Sequence, residues 1–398
     1  MQWGSSLSRL TELEAALDEC VAALDEQLGA AGDADIAAVF ASPVYHRDSH
    51  PLATAVRARF PRATVIGCSG AGVIGSGHEE EDAPALSITA GVLPGVALRG
   101  FHLNRADLPS PDAPPQEWAG VVGVPPGDAP HFIVLADPFT MDGEALLAGL
   151  DYAYPAAAKI GGLASGGSQL TSHSLFLDDA VHREGAVGVA LSGNVVVDTV
   201  VAQGCRPIGD PMRVTQAEHN LIMSVDGERP LDRLQRLYER LHERDRRLVH
   251  RNLFMGVAMD PLLEKPAAGD FLIRNVMGVD PRGGAVAIGA LIREGQIVQF
   301  HVRDAETSAE DLRRSLADYV QSARGSAAAG ALLFSCTGRG RYLYGEPDHD
   351  TGIFGEMVGG LPLGGFFCNG EIGPVAGTTY LHGYTSSFAL FRPRTGEE

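Results

Sequence analysis

A short glycine-and-thiol turn occurs near both ends of this chain. It reads GCSGAG at residues 67–72 and FCNGEIG at residues 367–373. An apolar, strand-like segment precedes each turn, and a second apolar segment follows it about fifteen residues later. Glycine adopts positive φ and lets a backbone or a ligand approach closely, so such turns can present backbone N–H groups to a small molecule. Two copies of one turn indicate an internal duplication.

A third, weaker copy lies between these two. Residues 133–136 read as a strand, 146–154 as a helix, 159–167 (KIGGLASGG) replace the turn, and 187–191 close the unit. The same order recurs in the outer copies, at residues 36–41, 52–60 and 86–90, and at residues 331–335, 351–358 and 388–391. This repetition predicts an α/β fold whose mixed sheets are built from repeated β-α-β modules. The alternative to a duplication is that these glycine-rich turns are merely the ones that separate strands and helices in any α/β protein.

Length and charge restrict the class of protein. With 398 residues, the chain is expected to form more than one domain. Its net charge of −19 disfavours binding to nucleic acid or to anionic membranes. The first residues do not resemble a signal peptide, and no apolar run approaches the roughly 18 residues of a membrane span. We therefore expect a cytoplasmic protein whose five cysteines are reduced.

Periodicity outlines the other elements. A leucine-rich stripe predicts one helix from near Ser8 to Gly29. Residues 194–205 and 211–225 look extended, and Pro230 is placed to open a helix that reaches residue 248. Further strands are predicted at residues 254–259, 271–276, 285–290 and 297–302, before a helix at residues 308–322 that Ser308 caps.

Nucleotide and metal sites are not supported. Residues 70–75 match the letters of a G-x-G-x-x-G fingerprint, but the acidic run at residues 79–82 stands where a helix should begin. His46 and His50, or residues 348–350, supply too few ligands for a persuasive metal site. We predict no cofactor, no metal and no catalytic residue.

Two cysteines keep an enzymatic alternative open. Cys336 ends a strand-like run and precedes Arg339 and Arg341, which would stabilise a thiolate. Cys368 precedes His382, so that a cysteine–histidine pair is conceivable. We favour the simpler interpretation that these cysteines are small residues packed at tight turns.

The last third of the chain places the most polar side chains among glycines. Ligands of open α/β sheets bind outside the carboxyl ends of the strands, where the turns after residues 334 and 367 would meet. Arg339 with turn amides would bind a carboxylate, and Glu371 with Asn369 would bind an ammonium group. The alternative is that Asn369 and Glu371 only stabilise their turn.

At these residues the sequence resembles the FIST domain family. The similarity is carried by VIGCSGAG at residues 65–72, by NGEIG at residues 369–373 and by HGYT at residues 382–385. It covers residues 33–391, nearly the whole chain. The resemblance implies a two-domain FIST architecture, with an N-terminal helix in residues 1–32, a FIST N-terminal domain in 33–225 and a FIST C-terminal domain in 226–392.

The resemblance also implies a function. FIST domains are sensory modules, so we expect this chain to bind a small polar metabolite, such as an amino acid, without catalysing a reaction. Its output would require a signalling partner or a homo-oligomer, and a scaffold with an acidic docking surface is a further alternative. The predicted ligand-binding residues are Cys68, Ser69, Cys336, Arg339, Asn369, Glu371, His382 and Thr385.

Overall fold

The computed structural model describes residues 1–260, 263, 265–322 and 328–394. The chain forms two compact units. Unit 1 consists of Met1–Ala202, Leu312–Leu381 and Thr385–Glu398, and unit 2 consists of Gln203–Asp311 and His382–Tyr384. The division of the sequence at residues 32, 225 and 392 stays a prediction.

The described residues form 24 strands and nine α-helices. The strands are β1 Gln2–Ser8, β2 Ile36–Ala41, β3 Thr64–Ser69, β4 Gly72–Gly75, β5 His78–Glu81, β6 Leu86–Val92, β7 Val96–Leu103, β8 His131–Ala136, β9 Lys159–Leu163, β10 Leu175–Leu177, β11 Ala180–His182, β12 Ala186–Gly193, β13 Val196–Gln203, β14 Cys205–Glu218, β15 Leu221–Val225, β16 Leu253–Ala258, β17 Phe271–Val279, β18 Val286–Ile288, β19 Ile297–Arg303, β20 Gly330–Cys336, β21 Leu363–Cys368, β22 Glu371–Val375, β23 Thr378–His382 and β24 Thr385–Arg392. The helices are α1 Leu13–Leu28, α2 Ser49–Arg59, α3 Pro115–Val122, α4 Gly143–Ala153, α5 Pro230–Arg240, α6 Glu243–Asn252, α7 Ala305–Ser322, α8 Arg341–Tyr344 and α9 His349–Val358.

Three six-stranded sheets share one topology. Their strand orders are β1-β6-β2-β3-β10-β11, β7-β12-β8-β9-β22-β23 and β13-β24-β20-β21-β4-β5. In each sheet one parallel pair, β2 with β3, β8 with β9 or β20 with β21, is flanked by antiparallel neighbours. A helix connects the two strands of each pair, as a parallel crossover requires. The predicted α/β class with repeated β-α-β modules is confirmed.

The three modules exchange hairpins in a cyclic order. The hairpin that follows β3 pairs with β21 of the third sheet, and the hairpin that follows β9 pairs with β3 of the first. The hairpin that follows β21 pairs with β9 of the second sheet. Each module therefore completes the sheet of another module, so that none of the three sheets is made by one continuous segment.

A glycine marks the same place in every parallel pair. In β21, Gly365 lies opposite Leu333, and a Cβ atom on Gly365 would lie 1.8 Å from the Leu333 carbonyl oxygen. In β9, Gly161 lies opposite Val134 with the same 1.8 Å approach to its carbonyl oxygen. In β3, Gly67 lies opposite Val39, where the approach would be 1.9 Å. A β-carbon cannot be accommodated at such distances, so the close pairing of these strands requires glycine.

Aromatic side chains join the first and third modules. Phe40 stacks on Phe366 at a centroid distance of 4.9 Å, and Phe334 meets Phe366 edge to face at 5.9 Å. All three rings are buried. Such pairs add about 0.5–1.5 kcal/mol each beyond the burial of their area.

Unit 2 is a closed six-stranded barrel inserted into the third module, between β13 and α7. Its strand order is β14-β15-β18-β17-β16-β19. Closure leaves no unpaired strand edge among these six described strands. Among the buried apolar side chains of the barrel are Ile208, Val298 and Phe300.

Several elements differ from those predicted. Residues 2–8 form a strand that the leucine pattern did not reveal, and the first helix begins at Leu13. The helix expected from Pro230 is two helices, α5 and α6. Ser308 lies inside α7, because Asp304 accepts the Glu306 amide hydrogen bond at the start of that helix. Within the described residues, no helix is long and apolar enough to cross a membrane.

Candidate functional site

The turns at the carboxyl ends of the three parallel pairs meet in unit 1. The Ser165 amide donates to the Ser69 carbonyl at 3.1 Å, which joins the second module to the first. The Asn369 amide donates to the Leu163 carbonyl at 3.0 Å, which joins the third module to the second. Turns separated by some 300 residues of sequence therefore share one place in the fold.

The amides of the first turn bond to the protein itself. Those of Ser69 and Gly70 donate to the carbonyl oxygens of Ser174 at 2.9 Å and Ala41 at 3.0 Å. The Ala71 amide donates to Ser165 Oγ at 2.8 Å. Contrary to expectation, these three amides are not open to a ligand. The glycine-rich sequence instead allows the turns to pack against each other.

Arg339 forms a buried ion pair with Asp350. Its Nε and one Nη donate to the two carboxylate oxygens, both at 2.9 Å. Arg339 and Asp350 are 0% and 1% exposed, and Ser335 and Ser386 also donate to Asp350. Burial opposes ionisation of Asp350, but the guanidinium and these donors hold its pKa well below the usual range. Arg339, predicted to bind a ligand carboxylate, already binds one of the protein.

Two further carboxyl groups lie buried in the same cluster. Glu371 Oε2 accepts hydrogen bonds from the Thr385 amide at 3.1 Å and hydroxyl at 2.8 Å, whereas its Oε1 makes none. Burial raises the pKa of Glu371 to about 8, against the opposing effect of Thr385 and Arg339. This carboxyl is therefore mainly protonated at neutral pH. We call Glu79, Asp350, Glu371 and Arg339 the carboxyl cluster.

Glu79 is the second protonated member. Its Oε1 accepts the Thr351 amide at 2.8 Å, at the first turn of α9, and its Oε2 makes no hydrogen bond. Burial, then the charge of Asp350, raise the pKa of Glu79 to about 8. The Thr351 hydroxyl also makes no hydrogen bond. Native proteins leave few buried polar atoms unpaired, and the unpaired oxygens of Glu79 and Thr351 belong to two residues joined by a hydrogen bond.

A cavity borders the carboxyl cluster at Thr351. Its volume is about 380 Å³. It is lined by Ser5, Gln27, Ser76, Gly77, Thr351, Phe354, Gly355, Gly359, Gly360, Leu361, Pro362 and Leu363. Four of these lining residues are glycines, which allow a ligand to approach the backbone of the cavity wall closely.

The predicted thiols differ in their surroundings. Cys68 and Cys368 are fully buried, and burial raises the pKa of both well above the usual value. Cys336 is 7% exposed, receives the Gly338 amide at 3.4 Å and contributes to the environment of Glu371. Cys336 therefore fits a reactive role better than the other two.

The remaining predicted residues occupy two places. Asn369 donates its amide group to the Ala164 carbonyl at 3.0 Å, and Ser69 Oγ accepts the Ser174 amide at 3.1 Å, so both fix turns of unit 1. Thr385 holds Glu371. His382 is buried and belongs to unit 2. The assignment of all eight residues to a ligand stays a prediction.

Sequence analysis missed a buried histidine–aspartate pair. His173 Nδ1 lies 2.8 Å from Asp137 Oδ2, both side chains are 0% exposed, and His173 Nε2 makes no hydrogen bond. The Asp137 carboxylate also accepts from the Phe139 and Thr140 amides. The only signal in the sequence is that Asp137 follows a predicted strand.

Glu79 and Asp350 were also missed as site residues. Glu79 belongs to the acidic run at residues 79–82, which entered the sequence analysis only as an argument against a nucleotide site. Alternation along β5 turns Glu79 inward. Asp350 looked like part of a polar loop, whereas it lies in the first turn of α9. If the acidic run had been interpreted as a strand, whose side chains alternate between two faces, Glu79 would have been a candidate for burial.

Comparison with known proteins decides the family. The FIST N domain model matches residues 35–228, and the FIST C domain model matches residues 230–374. The chain belongs to the FIST family. FIST domains are small-ligand sensory domains of signalling proteins.

Relatives extend the comparison over the whole chain. An uncharacterized protein of Mycobacterium tuberculosis H37Rv is 37% identical over 98% of this chain and 100% of its own length. One of Mycobacterium bovis is 37% identical over 95% of each chain. An F-box/LRR-repeat protein of Arabidopsis thaliana is 24% identical over 66% of this chain and 58% of its own length. A cyanuric acid hydrolase structure from A. caulinodans covers 99% of this chain at 11% identity, but its TM-score of 0.34 supports no argument.

The protonated carboxyls predict a pH-dependent stability. Because folding raises the pKa of Glu79 and Glu371 from 4.5 to about 8, the native state holds protons that the unfolded chain has lost between these values. Stability is therefore greatest below pH 4.5 for these two groups and decreases as the pH rises towards 8. Each group contributes on the order of 1 kcal/mol per pH unit.

Urea unfolding at pH 5, 6, 7 and 8 measures this effect. The variants Glu79→Gln and Glu371→Gln should flatten the decrease, because the amide stays neutral at every pH. Glu26→Gln, at an exposed position of α1, is the matched control and should leave the slope unchanged. A wild-type stability that rises from pH 5 to 8, with no change of slope in Glu79→Gln, would contradict the prediction.

Proposed function

We propose that this FIST protein binds a small polar metabolite that carries an amine, with an amino acid as the favoured type, and that it does so without catalysis. The observation behind the proposal is that two carboxyl groups of the carboxyl cluster, Glu79 and Glu371, are buried, are protonated at neutral pH and each have one oxygen without a hydrogen-bond partner. Asp350 pairs with the Arg339 guanidinium, Arg339 acts electrostatically on Glu371, and Glu79 lies near Asp350. The unpaired oxygens are Oε2 of Glu79 and Oε1 of Glu371, and each becomes a hydrogen-bond acceptor when its carboxyl group loses its proton.

An ammonium group would donate hydrogen bonds to these oxygens once the carboxyl group has released its proton. Leaving a buried acceptor unpaired costs about 1–3 kcal/mol, and that cost is recovered when a ligand donates to it. A positive charge close to Glu79 would lower the pKa of this carboxyl and release its proton. Binding of an amine should therefore be coupled to proton release. Neutral or anionic ligands would lack this coupling.

The cavity at Thr351 supports the same proposal. Small-molecule sites commonly occupy about 300–1,000 Å³, and the volume of about 380 Å³ falls at the lower end of that range. Thr351 contributes to the cavity wall and also holds Glu79 through its amide. Thr351 thus connects the cavity wall to the Glu79 carboxyl, which does not itself line the cavity.

Helix α9 could transmit ligand binding to a signalling partner. Helix α9 carries Asp350 and Thr351 in its first turn and contributes Phe354 and Gly355 to the cavity. A ligand that binds Glu79 would thus act on α9, the helix that carries Asp350, the partner of Arg339. We propose that a shift of α9 is read by a signalling partner or by a second copy of the chain.

Paired ligands test the proposal. We expect an amino acid to raise the melting temperature and to bind in calorimetry, while the same molecule without its amino group binds at least tenfold more weakly. Affinity should rise between pH 6 and 8, because the proton on Glu79 competes with the ammonium group. At 100 times Kd, the ligand should stabilise the protein by about 2.7 kcal/mol.

Matched variants make the test specific. Glu79→Gln should abolish the preference for the amine, and Glu26→Gln, exposed on α1, should keep it. Equal binding of the amine and its des-amino analogue, or an unchanged preference in Glu79→Gln, would overturn the proposal. So would a panel of amino acids and small amines in which no member shifts the melting temperature.

A cysteine-dependent enzyme is the second candidate, because Cys336 lies beside a protonated Glu371 and is slightly exposed. All five cysteines are buried and free. For a sensor, we expect none to react with iodoacetamide faster than free cysteine at pH 7, with Cys68 and Cys368 the slowest. Mass spectrometry of the alkylated native protein measures each site. A Cys336 that reacts faster than free cysteine, and is protected by a ligand, would favour the enzyme.

A further inference from the structure

A second cavity lies within unit 2, between α5 and the barrel. Its volume is about 100 Å³. It is lined by Gly209, Asp210, Met212, Arg233, Arg236, Leu237, Arg240 and Phe300. Three arginines from one helix thus border a single small cavity. Nothing in the proposed amine site requires them, since that site belongs to unit 1.

The helix spacing brings these arginines together. Arg233, Arg236 and Arg240 are separated by three and four residues, which places them on one face of α5. Arg233 pairs with Asp226 at 2.9 Å, and Arg236 pairs with Glu228, in both cases at partly exposed positions. Surface ion pairs of this kind contribute about 0–1 kcal/mol, so a better anion can compete for either guanidinium.

Arg240 is the exception on this face. Its side chain makes no hydrogen bond or ion pair with any residue in the part of the chain that the structure describes. A chain with a net charge of −19 has no shortage of carboxylates that could have paired with it. The Arg240 guanidinium is therefore available to bind an anion in the cavity.

An irregularity of β14 forms the opposite wall. The pairing of β14 with β19 changes register between Ile208 and Met212. Gly209 there has φ +68°, and a Cβ atom on it would lie 2.9 Å from Leu237 of α5. Gln299 fixes this bend by donating to the Gly209 carbonyl at 2.6 Å. Such bulges redirect a strand locally and recur beside binding sites.

We propose that this cavity binds a phosphate group. Its lining residues include three arginines and one aspartate, so a phosphate that displaces Asp226 and Glu228 from Arg233 and Arg236 would meet a net charge of +2, which matches a dianion. Guanidinium groups bind phosphate oxygens through paired, charge-assisted hydrogen bonds. The volume equals that of about three water molecules, which suits one phosphate group. The phosphate is either the free ion or that of a small phosphomonoester.

Calorimetry at constant ionic strength tests the site with inorganic phosphate and with glycerol phosphate. Saturable binding of either is expected, and the tighter of the two identifies the source of the phosphate group. The variant Arg240→Gln should bind phosphate at least tenfold more weakly, because it loses a charge-assisted hydrogen bond. Because Arg240 has no partner among the described residues, this variant should fold normally, which circular dichroism checks.

Arg251→Gln is the matched control. Arg251 is an exposed arginine of α6 that does not line the cavity, so its loss changes the net charge equally. We expect unchanged phosphate binding in this variant. Absence of saturable binding in the unmodified protein, full binding in Arg240→Gln, or an equal loss in Arg251→Gln would each overturn the proposal. None of these outcomes bears on amine binding in unit 1, so the two proposals fail independently.

Discussion

Replacing Gly365 by alanine is expected to prevent the stable folding of unit 1. The new Cβ atom would lie 1.8 Å from the Leu333 carbonyl oxygen and 2.8 Å from its carbon. Both are backbone atoms of the neighbouring parallel strand, so no side chain can move aside. The φ of +153° adds strain for any residue with a β-carbon. We expect a loss above about 4 kcal/mol, which is exceptional for one substitution.

Soluble yield and urea unfolding followed by circular dichroism measure this loss. Gly352→Ala is the matched control, because Gly352 lies in helix α9 and a β-carbon there would meet no neighbouring atom within 4 Å. Alanine favours the helix by about 1 kcal/mol over glycine, so this variant should be slightly more stable. A Gly365→Ala protein with the unfolding midpoint of the unmodified chain would contradict the strand pairing described above.

The local part of this fold could be predicted from the sequence. Glycine turns and apolar segments are contiguous in the chain, so three copies of β-α-β order were visible at residues 36–90, 133–191 and 331–391. The exchange of hairpins between sheets was not visible. Each hairpin pairs with a strand of another module, more than a hundred residues away for most of the paired positions, and no local pattern encodes that choice.

The candidate site shows the same limit. Arg339 and Glu371 were recognised as important because polar residues among glycines stand out in the sequence. Their roles were not recognised, since the partner of Arg339 arrives on α9 and the first turn of that helix looked like a loop. Glu79 stands in a run of four consecutive acidic residues, and it is the buried one of the four. Burial, which decides whether a carboxyl is charged, is a property of the assembled sheets and not of the segment.

Replacing Asp350 by asparagine should destabilise the protein by about 3–5 kcal/mol, because it leaves the Arg339 guanidinium buried without a counter-charge. The shape of the side chain is kept, so the loss reports charge and not volume. Thermal and urea unfolding at pH 7 measure it. In addition, the loss of the negative charge should lower the pKa of Glu79, which Asp350 now raises. The pH dependence of stability should therefore become shallower in this variant.

Two further variants separate the ion pair from general effects of charge. Arg62→Gln breaks an exposed pair with Asp33, in which both side chains are 66% exposed, and should change stability by less than about 1 kcal/mol. The double variant Asp350→Asn/Arg339→Gln removes both buried charges and should be more stable than Asp350→Asn alone, because no unpaired ion remains. If the double variant loses as much as the sum of the two single variants, the pair is not coupled. In that case Arg339 would have to be held by other groups, and a direct role in binding a ligand carboxylate would again become the better interpretation.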